Sequence, residues 1–192
     1  MGFRNPPLFR TFGGNKQVFI DGTFKIVPKP FYQCLIIMVF DEQTDSFVPC
    51  FYILLTSKTA QIYHHALYWV KSTVGSNFNP ASVTCNFKKA LHNAIKIEFP
   101  SSIINGCLFH WKQTIYRKVM SLKFNEPVID IFRDRRVLEN FTLIPPNEIE
   151  KYGIPYIRDI VDYELSTSDM KKNGDFLGIF SKFLAIYTRI FL

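Results

Sequence analysis

Cysteine is scarce in this sequence, and charged residues are fewer than in an average soluble domain. Only four of the 192 residues are cysteine, and they are spread from Cys34 to Cys107, whereas secreted disulfide scaffolds pack more cysteines into a shorter chain. Charged residues make up 20% of the sequence, and aromatic residues make up 16%. Because disordered basic tails lack apolar and aromatic content, this composition excludes one. We expect a folded domain from a reducing compartment.

The sequence also lacks an apolar run of membrane-spanning length. Its first residues, MGFRNPPLF, contain no signal-peptide core. The most apolar long stretch, Asp175–Leu192, is interrupted by Lys182 and Arg189. We therefore expect no membrane segment, and we interpret this stretch as a core-facing helix.

The formal net charge is +7, and 47% of the residues are apolar. The length and the apolar content predict one hydrophobic core, so the excess positive charge must lie on a folded surface. A basic surface favours nucleic acid, an anionic membrane or an acidic partner, and charge alone does not choose among them.

Short turns divide the first third of the chain into three segments with strand character. They are Lys16–Asp21, Phe31–Phe40 and Phe47–Leu55. Strands joined by short turns pair antiparallel, and the second segment is polar on neither face, which predicts a central position in its sheet.

After Leu55 the spacing of the apolar residues changes, and it predicts helices that alternate with strands. The predicted elements are a helix over 59–74, a strand over 82–86, a helix over 87–99, a strand over 102–109 and a helix over 111–122. After Asn125 the segments between prolines and glycines predict helices only. The order β-β-β-α-β-α-β-α followed by an all-helical appendage is that of an α/β, ribonuclease H-like mixed sheet.

This element order has a chemical consequence for Asp21 and Asn86. In such a sheet the first and fourth strands are parallel neighbours, because a right-handed crossover returns the chain to the same sheet. Asp21 and Asn86 would then lie at the same carboxyl edge. A pair of carboxylates at that edge could hold Mg²⁺ for phosphodiester chemistry.

Several segments, taken together, resemble the catalytic domain of Mutator-like element (MULE) transposases. The resemblance extends over roughly Val18 to Phe124. Its segments are Asp21-Gly22-Thr23-Phe24-Lys25 with Pro28 and Phe31, Lys58 with Tyr63, Asn86-Phe87-Lys88-Lys89-Ala90-Leu91, Ala94 with Phe99-Pro100, and Gly106-Cys107-Leu108-Phe109-His110-Trp111-Lys112-Gln113.

The resemblance implies a DDE-type enzyme for DNA transposition that cleaves and transfers DNA strands with Mg²⁺ or Mn²⁺. Asp21 matches the first catalytic acid and is the implied metal ligand. Asn86 stands at the position of the second acid, and Lys88 stands where the family usually has Glu. The third acid, a Glu after a helical insertion, has no matching position. We expect metal binding and catalysis to be impaired.

The resemblance also sets the expected domain boundaries. We predict an N-terminal lead over residues 1–15, a ribonuclease H-like core over 16–124, and a helical insertion over 125–192 that we expect to be incomplete.

Each of the candidate residues has a simpler structural explanation as well. Asn86 is a good helix N-cap, and an Asp-Gly pair such as Asp21-Gly22 is a common bend. Cys107 and His110 match the CxxH motif of the family, but two ligands do not make a zinc site, so this pair is expected to hold a strand–helix junction together. The remaining histidines, His64, His65 and His92, are expected at the surface.

Basic residues surround the helix after His110 and continue into the appendage. Lys112, Arg117, Lys118 and Lys123 are the candidate contacts to the DNA backbone, and a solvated helical face is the alternative. The aromatic residues follow core patterns, and we do not interpret them as a base-stacking platform.

These observations lead to three hypotheses for function. The first is a MULE transposase-derived domain that is catalytically inactive or a fragment. The second is a domesticated, non-catalytic DNA-binding or protein-interaction module. The third is a decayed open reading frame with no selected function. In the first two cases we expect a nuclear protein with DNA as its partner, the potential to form a homo-oligomer, and no small-molecule substrate.

Overall fold

The computed structural model describes residues 16–75, 78–121 and 126–167. The chain divides into two compact units, residues 1–107 and residues 108–192. Each unit is described by itself below. The predicted boundary after residue 124 rests on the family resemblance and stays a prediction.

The first unit contains a five-stranded mixed sheet. Its strands are β1 (Gln17–Thr23), β2 (Gln33–Asp41), β3 (Ser46–Leu55), β4 (Ser82–Cys85) and β5 (Ile103–Gly106). The spatial order is β3-β2-β1-β4-β5. The first three strands pair antiparallel, whereas β4 is parallel to both β1 and β5. This topology confirms the predicted ribonuclease H-like fold.

The position of β2 inside the sheet follows from its composition. Leu35, Ile37 and Val39 alternate along one face and are almost completely buried. The prediction of a central strand is therefore confirmed. Its neighbour β3 is an edge strand, in which the pairing shifts by one residue between Phe51 and Pro49. Proline is tolerated at such a position because an edge strand can leave one N–H bond unmade.

Two helices, α1 (Ala60–Val74) and α2 (Lys89–Glu98), share one hydrophobic core with the sheet. The helix α1 begins after Thr59, whose hydroxyl accepts a hydrogen bond from the backbone N–H of Ile62, and ends at Gly75 with φ of 132°. The buried side chains that the helices contribute are Tyr63, Ala66, Leu67, Val70, Leu91, Ala94 and Ile95.

A polar contact joins α1 to α2 at the border of this core. His64 Nε2 lies 2.7 Å from Oε1 of Glu98, whose side chain is only 8% exposed. Lys71 of the same helix donates a hydrogen bond to the backbone carbonyl of Glu98 at 2.7 Å. The His64 side chain is 35% exposed, so it lies at the surface as predicted, with one ring nitrogen facing the buried Glu98 carboxylate.

The end of β5 also differs from the prediction. The apolar segment predicts a strand as far as Phe109, but β5 ends at Gly106 and a helix begins at Leu108. The reason lies in the neighbouring strand. The last residue of β4, Cys85, pairs with Gly106, and its carbonyl accepts one more bond from the N–H of Cys107. Beyond Gly106 the strand β5 has no pairing partner on β4, so it ends there.

All of the regular secondary structure in the described residues of the second unit is helical. It contains α3 (Leu108–Ser121), α4 (Glu126–Arg133), α5 (Arg135–Thr142), a 3-10 turn (Pro146–Glu148), a π-helical turn (Ile149–Gly153) and α6 (Ile154–Thr167). The predicted all-helical appendage is confirmed over 126–167. The helix predicted for Asp175–Leu192 lies outside the described residues. Among the described helices, none combines the length and apolar character needed to cross a bilayer.

Replacing His64 should destabilise the first unit. We expect His64→Ala to lower the free energy of unfolding by about 1–3 kcal/mol, because the buried Glu98 carboxylate loses its hydrogen-bond donor. Urea denaturation followed by circular dichroism measures this change. The matched control is His65→Ala at the exposed neighbouring position, which should change stability by less than about 0.5 kcal/mol. Equal effects of the two substitutions would show that the His64–Glu98 contact contributes nothing.

Candidate active site at the carboxyl edge of the sheet

The pairing of β1 with β4 brings Asp21 and Asn86 to the same place. Ile20 is the register partner of Cys85 in this parallel pair. Asp21 and Asn86 are the next residues along their chains, so they lie level with each other at the carboxyl edge. Both side chains are half-buried. The predicted juxtaposition of the two acid positions is present, although β1 continues to Thr23 and β4 ends at Cys85.

The oxygen atoms of both side chains accept hydrogen bonds from the backbone nearby. Asp21 Oδ1 accepts from the N–H of Gly22 at 2.7 Å, and Asn86 Oδ1 accepts from the N–H of Lys88 at 3.1 Å. The second contact is an Asx turn, in which an Asn side chain folds back on the chain two residues ahead. The amide oxygen of Asn86 therefore has a local structural use.

Asn86 is not the N-cap of helix α2, contrary to the prediction. Helix α2 begins at Lys89, and the capping residue is Lys88, which makes no side-chain cap hydrogen bond. The Asx turn of Asn86 includes Phe87 and Lys88, so the helix begins only at Lys89. His92 fixes this turn from inside the helix, because its Nε2 lies 2.8 Å from the carbonyl oxygen of Asn86. His92 is half-buried, so the predicted surface position holds in part, with the ring anchored to the Asn86 carbonyl.

The Lys88 side chain turns toward helix α1. Its ammonium group donates a hydrogen bond to the hydroxyl of Tyr63 at 3.3 Å, and this hydroxyl donates to Gln33 Oε1 at 2.8 Å. Partial burial lowers the pKa of Lys88, and the positive charge of Lys58 lowers it further. Where the family usually has a carboxylate, this chain has a cation joined to a buried polar network.

Gly22 is required by close packing with Gln33. A Cβ atom at Gly22 would lie 1.8 Å from Gln33 Nε2, and Gln33 is completely buried. Within the described residues, Gln33 Nε2 has no hydrogen-bond partner, although Oε1 of the same side chain is bonded to Tyr63. The glycine after Asp21 thus makes room for the amide that positions Tyr63 and, through it, Lys88.

Cys107 and His110 lie at the predicted strand–helix junction. The backbone N–H of Cys107 is bonded to β4, and His110 is in the first turn of α3, where its carbonyl accepts a hydrogen bond from the hydroxyl of Thr114. No group of three or more His, Cys, Asp or Glu side chains suited to a metal occurs in the described part of the chain. Burial, and to a lesser extent Cys107, raises the pKa of Cys85 to about 12, so this thiol stays protonated at neutral pH.

The basic residues predicted to contact DNA differ in their surroundings. Lys112 Nζ lies 2.5 Å from Glu139 Oε1, so an ion pair partly neutralises its charge. Arg117 is exposed and Lys118 half-exposed on the same helix, α3. Lys123 lies outside the described residues. The assignment of these residues to DNA contact stays a prediction.

A family model confirms the resemblance that the motifs indicate. The model of the MULE transposase domain matches residues 17–114, slightly more than half of the chain. The chain belongs to the MULE transposase domain family. The match covers all five strands and begins at the first residue of β1.

Among solved structures, this MULE transposase domain is similar to the HTLV-2 integrase catalytic core domain, whose structure is a trimeric form in complex with magnesium. The identity is 10% and the TM-score 0.34, with 81% of this chain and 86% of the integrase chain covered. No curated protein sequence shows significant similarity to the chain.

The donor set at the carboxyl edge does not fit the pair of divalent ions that the DDE chemistry implies. Asp21 is a carboxylate, but Asn86 is neutral and its oxygen is already hydrogen bonded. Two divalent cations carry four positive charges, and stable sites offset such charge with several carboxylates. The described residues bring one carboxylate to this place, which does not offset the charge of two such ions.

Sequence reasoning missed a group of lysines and aromatic rings at the same edge. Lys58 Nζ lies 4.4 Å from the ring centroid of Tyr32 and 4.6 Å from that of Phe24, and Lys88 Nζ lies 5.1 Å from the Phe24 centroid. We call Phe24, Tyr32, Lys58 and Lys88 the lysine–aromatic cluster. Phe24 follows the DGT motif and Lys58 was matched to the family, but their contact depends on how three separate loops meet.

The contact between Gly22 and Gln33 generates a prediction about stability. Gly22→Ala should lower the free energy of unfolding by about 1–3 kcal/mol, because the new methyl group displaces the buried Gln33 amide. The φ of Gly22 is not positive, so backbone strain does not contribute. Thermal and urea denaturation of the purified chain measure the effect.

A double substitution separates this crowding from other effects of alanine. In a Gln33→Ala background the methyl group at position 22 has space, so Gly22→Ala should cost much less there than in the wild-type chain. The same cost in both backgrounds would contradict the crowding.

Proposed function

We propose that this transposase-derived domain binds DNA without cleaving it. The observation that supports the proposal most directly is the side chain at the second acid position. Asn86 lies level with Asp21, as a catalytic partner would, but it is neutral and holds an Asx turn. A DDE enzyme needs acidic side chains to hold its metal ions, and the amide of Asn86 supplies no charge for this purpose.

DNA remains the partner that the charge favours. The formal net charge of the chain is +7, and positive charge on a folded surface is attracted to phosphate without regard to sequence. Membership of the MULE family supports the same partner. A nuclear location and a homo-oligomeric state are consistent with this proposal and belong to it as predictions.

The loss of cleavage can be tested on supercoiled plasmid DNA. We expect the full chain to produce no nicked or linear product with Mg²⁺ or Mn²⁺ above the level of an Asp21→Ala control. The reaction is incubated for several hours at low salt, and its products are separated by agarose gel electrophoresis. Product that depends on Mn²⁺ and disappears in Asp21→Ala would show that the domain is an active nuclease.

The loss of metal binding can be tested without any activity. We expect the melting temperature of the wild-type chain to stay unchanged when the Mn²⁺ concentration is raised in 10-fold steps. Asn86→Asp places a second carboxylate beside Asp21, and Mn²⁺ should stabilise this variant. When the free Mn²⁺ concentration is 100 times the dissociation constant of the site, binding adds about 2.7 kcal/mol to the free energy of unfolding. Differential scanning fluorimetry measures the shift.

The control for this experiment is the double substitution Asp21→Asn with Asn86→Asp, which returns the edge to one carboxylate and should remove the shift. Stabilisation of the wild-type chain by Mn²⁺ that depends on Asp21 would contradict the proposal.

A further inference from the structure

The carboxyl edge of the sheet is the basic end of the first unit. Three segments meet there: residues 21–33 from the end of β1 to the start of β2, residues 55–60 between β3 and α1, and residues 86–89 between β4 and α2. These segments contain a single acidic residue, Asp21. Their basic residues are Lys25, Lys29, Lys58, Lys88 and Lys89. The acidic turn of this unit, with Asp41, Glu42 and Asp45, joins β2 to β3 at the opposite end of the strands.

The two lysines of the lysine–aromatic cluster lie close together without a carboxylate partner. Both ammonium groups contact the Phe24 ring, so they lie within about 10 Å of each other, a separation at which 0.1 M salt screens charge only in part. In the described part of the chain, neither Lys58 nor Lys88 forms an ion pair with Asp or Glu.

Two cations of the second unit are different in this respect. Lys112 is paired with Glu139, and Arg133 lies 2.7 Å from both Glu126 and Asp130. An ion-paired cation must lose its carboxylate before it can contact phosphate fully, whereas Lys58 and Lys88 have only neutral aromatic and hydroxyl neighbours among their described contacts. Lys58 and Lys88 can therefore contact phosphate without breaking an ion pair.

The aromatic rings of the cluster are accessible. Phe24 is 43% exposed and Tyr32 is 51% exposed, and their ring centroids lie 5.9 Å apart in an edge-to-face arrangement. Large aromatic side chains beside lysines are the two components that single-strand binding surfaces combine, since every base has a face that can stack and every nucleotide carries a phosphate. In duplex DNA the bases are stacked on one another and cannot reach such rings.

We propose that the lysine–aromatic cluster binds unpaired nucleotides of a DNA strand, with Lys58 and Lys88 contacting phosphates and Phe24 and Tyr32 contacting bases. The inference rests on the proposed DNA-binding function. It assigns the binding to the lysine–aromatic cluster and to single-stranded DNA. Binding at this surface needs no metal ion, because the lysines supply the positive charge. It has no strong base preference, since stacking is tolerant of sequence.

Fluorescence anisotropy with a labelled 20-nucleotide oligo-dT strand, and with a duplex of the same length, tests the proposal. The measurement uses the full chain in EDTA at several salt concentrations. We expect the single strand to bind more tightly than the duplex. Phe24→Leu and Tyr32→Leu should each weaken single-strand binding by about 5- to 150-fold. Lys58→Gln and Lys88→Gln should each reduce the slope of log affinity against log salt by about 0.7.

Matched controls exist on the same unit. Tyr52→Leu changes a tyrosine of similar exposure on β3, and Lys96→Gln changes an exposed lysine near the other end of helix α2. Neither should alter binding or the salt slope. Because Lys88 also supports Tyr63, its variant could fail to fold. The partly exposed positions Lys58 and Tyr32 then carry the test, with circular dichroism to verify the fold.

The outcomes separate this inference from the function on which it rests. Absence of binding to either form of DNA at low salt would overturn the proposed function. Binding that survives all four cluster substitutions, but is lost in Arg117→Gln with Lys118→Gln, would overturn the inference alone. A preference for duplex that is insensitive to Phe24→Leu and Tyr32→Leu would also overturn it.

Discussion

The parallel pairing of β1 with β4 is the constraint on which the site depends. Ile20 and Cys85 are partners in this ladder, and the residues that follow them are the two acid positions of the family. Because the chain must cross over through helix α1 before β4 can form, the edge collects residues that are far apart in sequence. The same pairing brings the loops after β1 and β4 together, and the antiparallel pairing of β2 with β1 and β3 brings the loop after β3 to the same edge. The lysine–aromatic cluster therefore lies at the edge that carries Asp21 and Asn86.

Much of this arrangement could be predicted from the sequence, because it depends on periodicity. Short turns and the apolar segments between them located the strands, and the spacing of Tyr63, Ala66 and Val70 located the first helix. The end of β5 could not be predicted, since it depends on where the short partner strand stops. The lysine–aromatic cluster was missed for a related reason: apolar residues such as Phe24 and Tyr32 are expected inside, and exposure depends on tertiary contacts.

Asn86 has a structural use at the position where the family resemblance places the second acid. Its amide oxygen closes the turn before helix α2, and its carbonyl receives His92. An aspartate could make the same turn, so the fold does not require the neutral residue. What changes is the charge beside Asp21, together with the presence of Lys88, whose hydrogen bond ties this edge to the buried pair of Tyr63 and Gln33.

The irregular edge strand β3 has a consequence for the association of copies of this domain. An open sheet edge offers unpaired N–H and C=O groups, on which a strand of another chain can pair. Here the shift of register at Cys50 interrupts the regular ladder, and Pro49 removes one donor from the strand. The β3 edge of this sheet is therefore a poor template for an added strand, which disfavours aggregation through that edge.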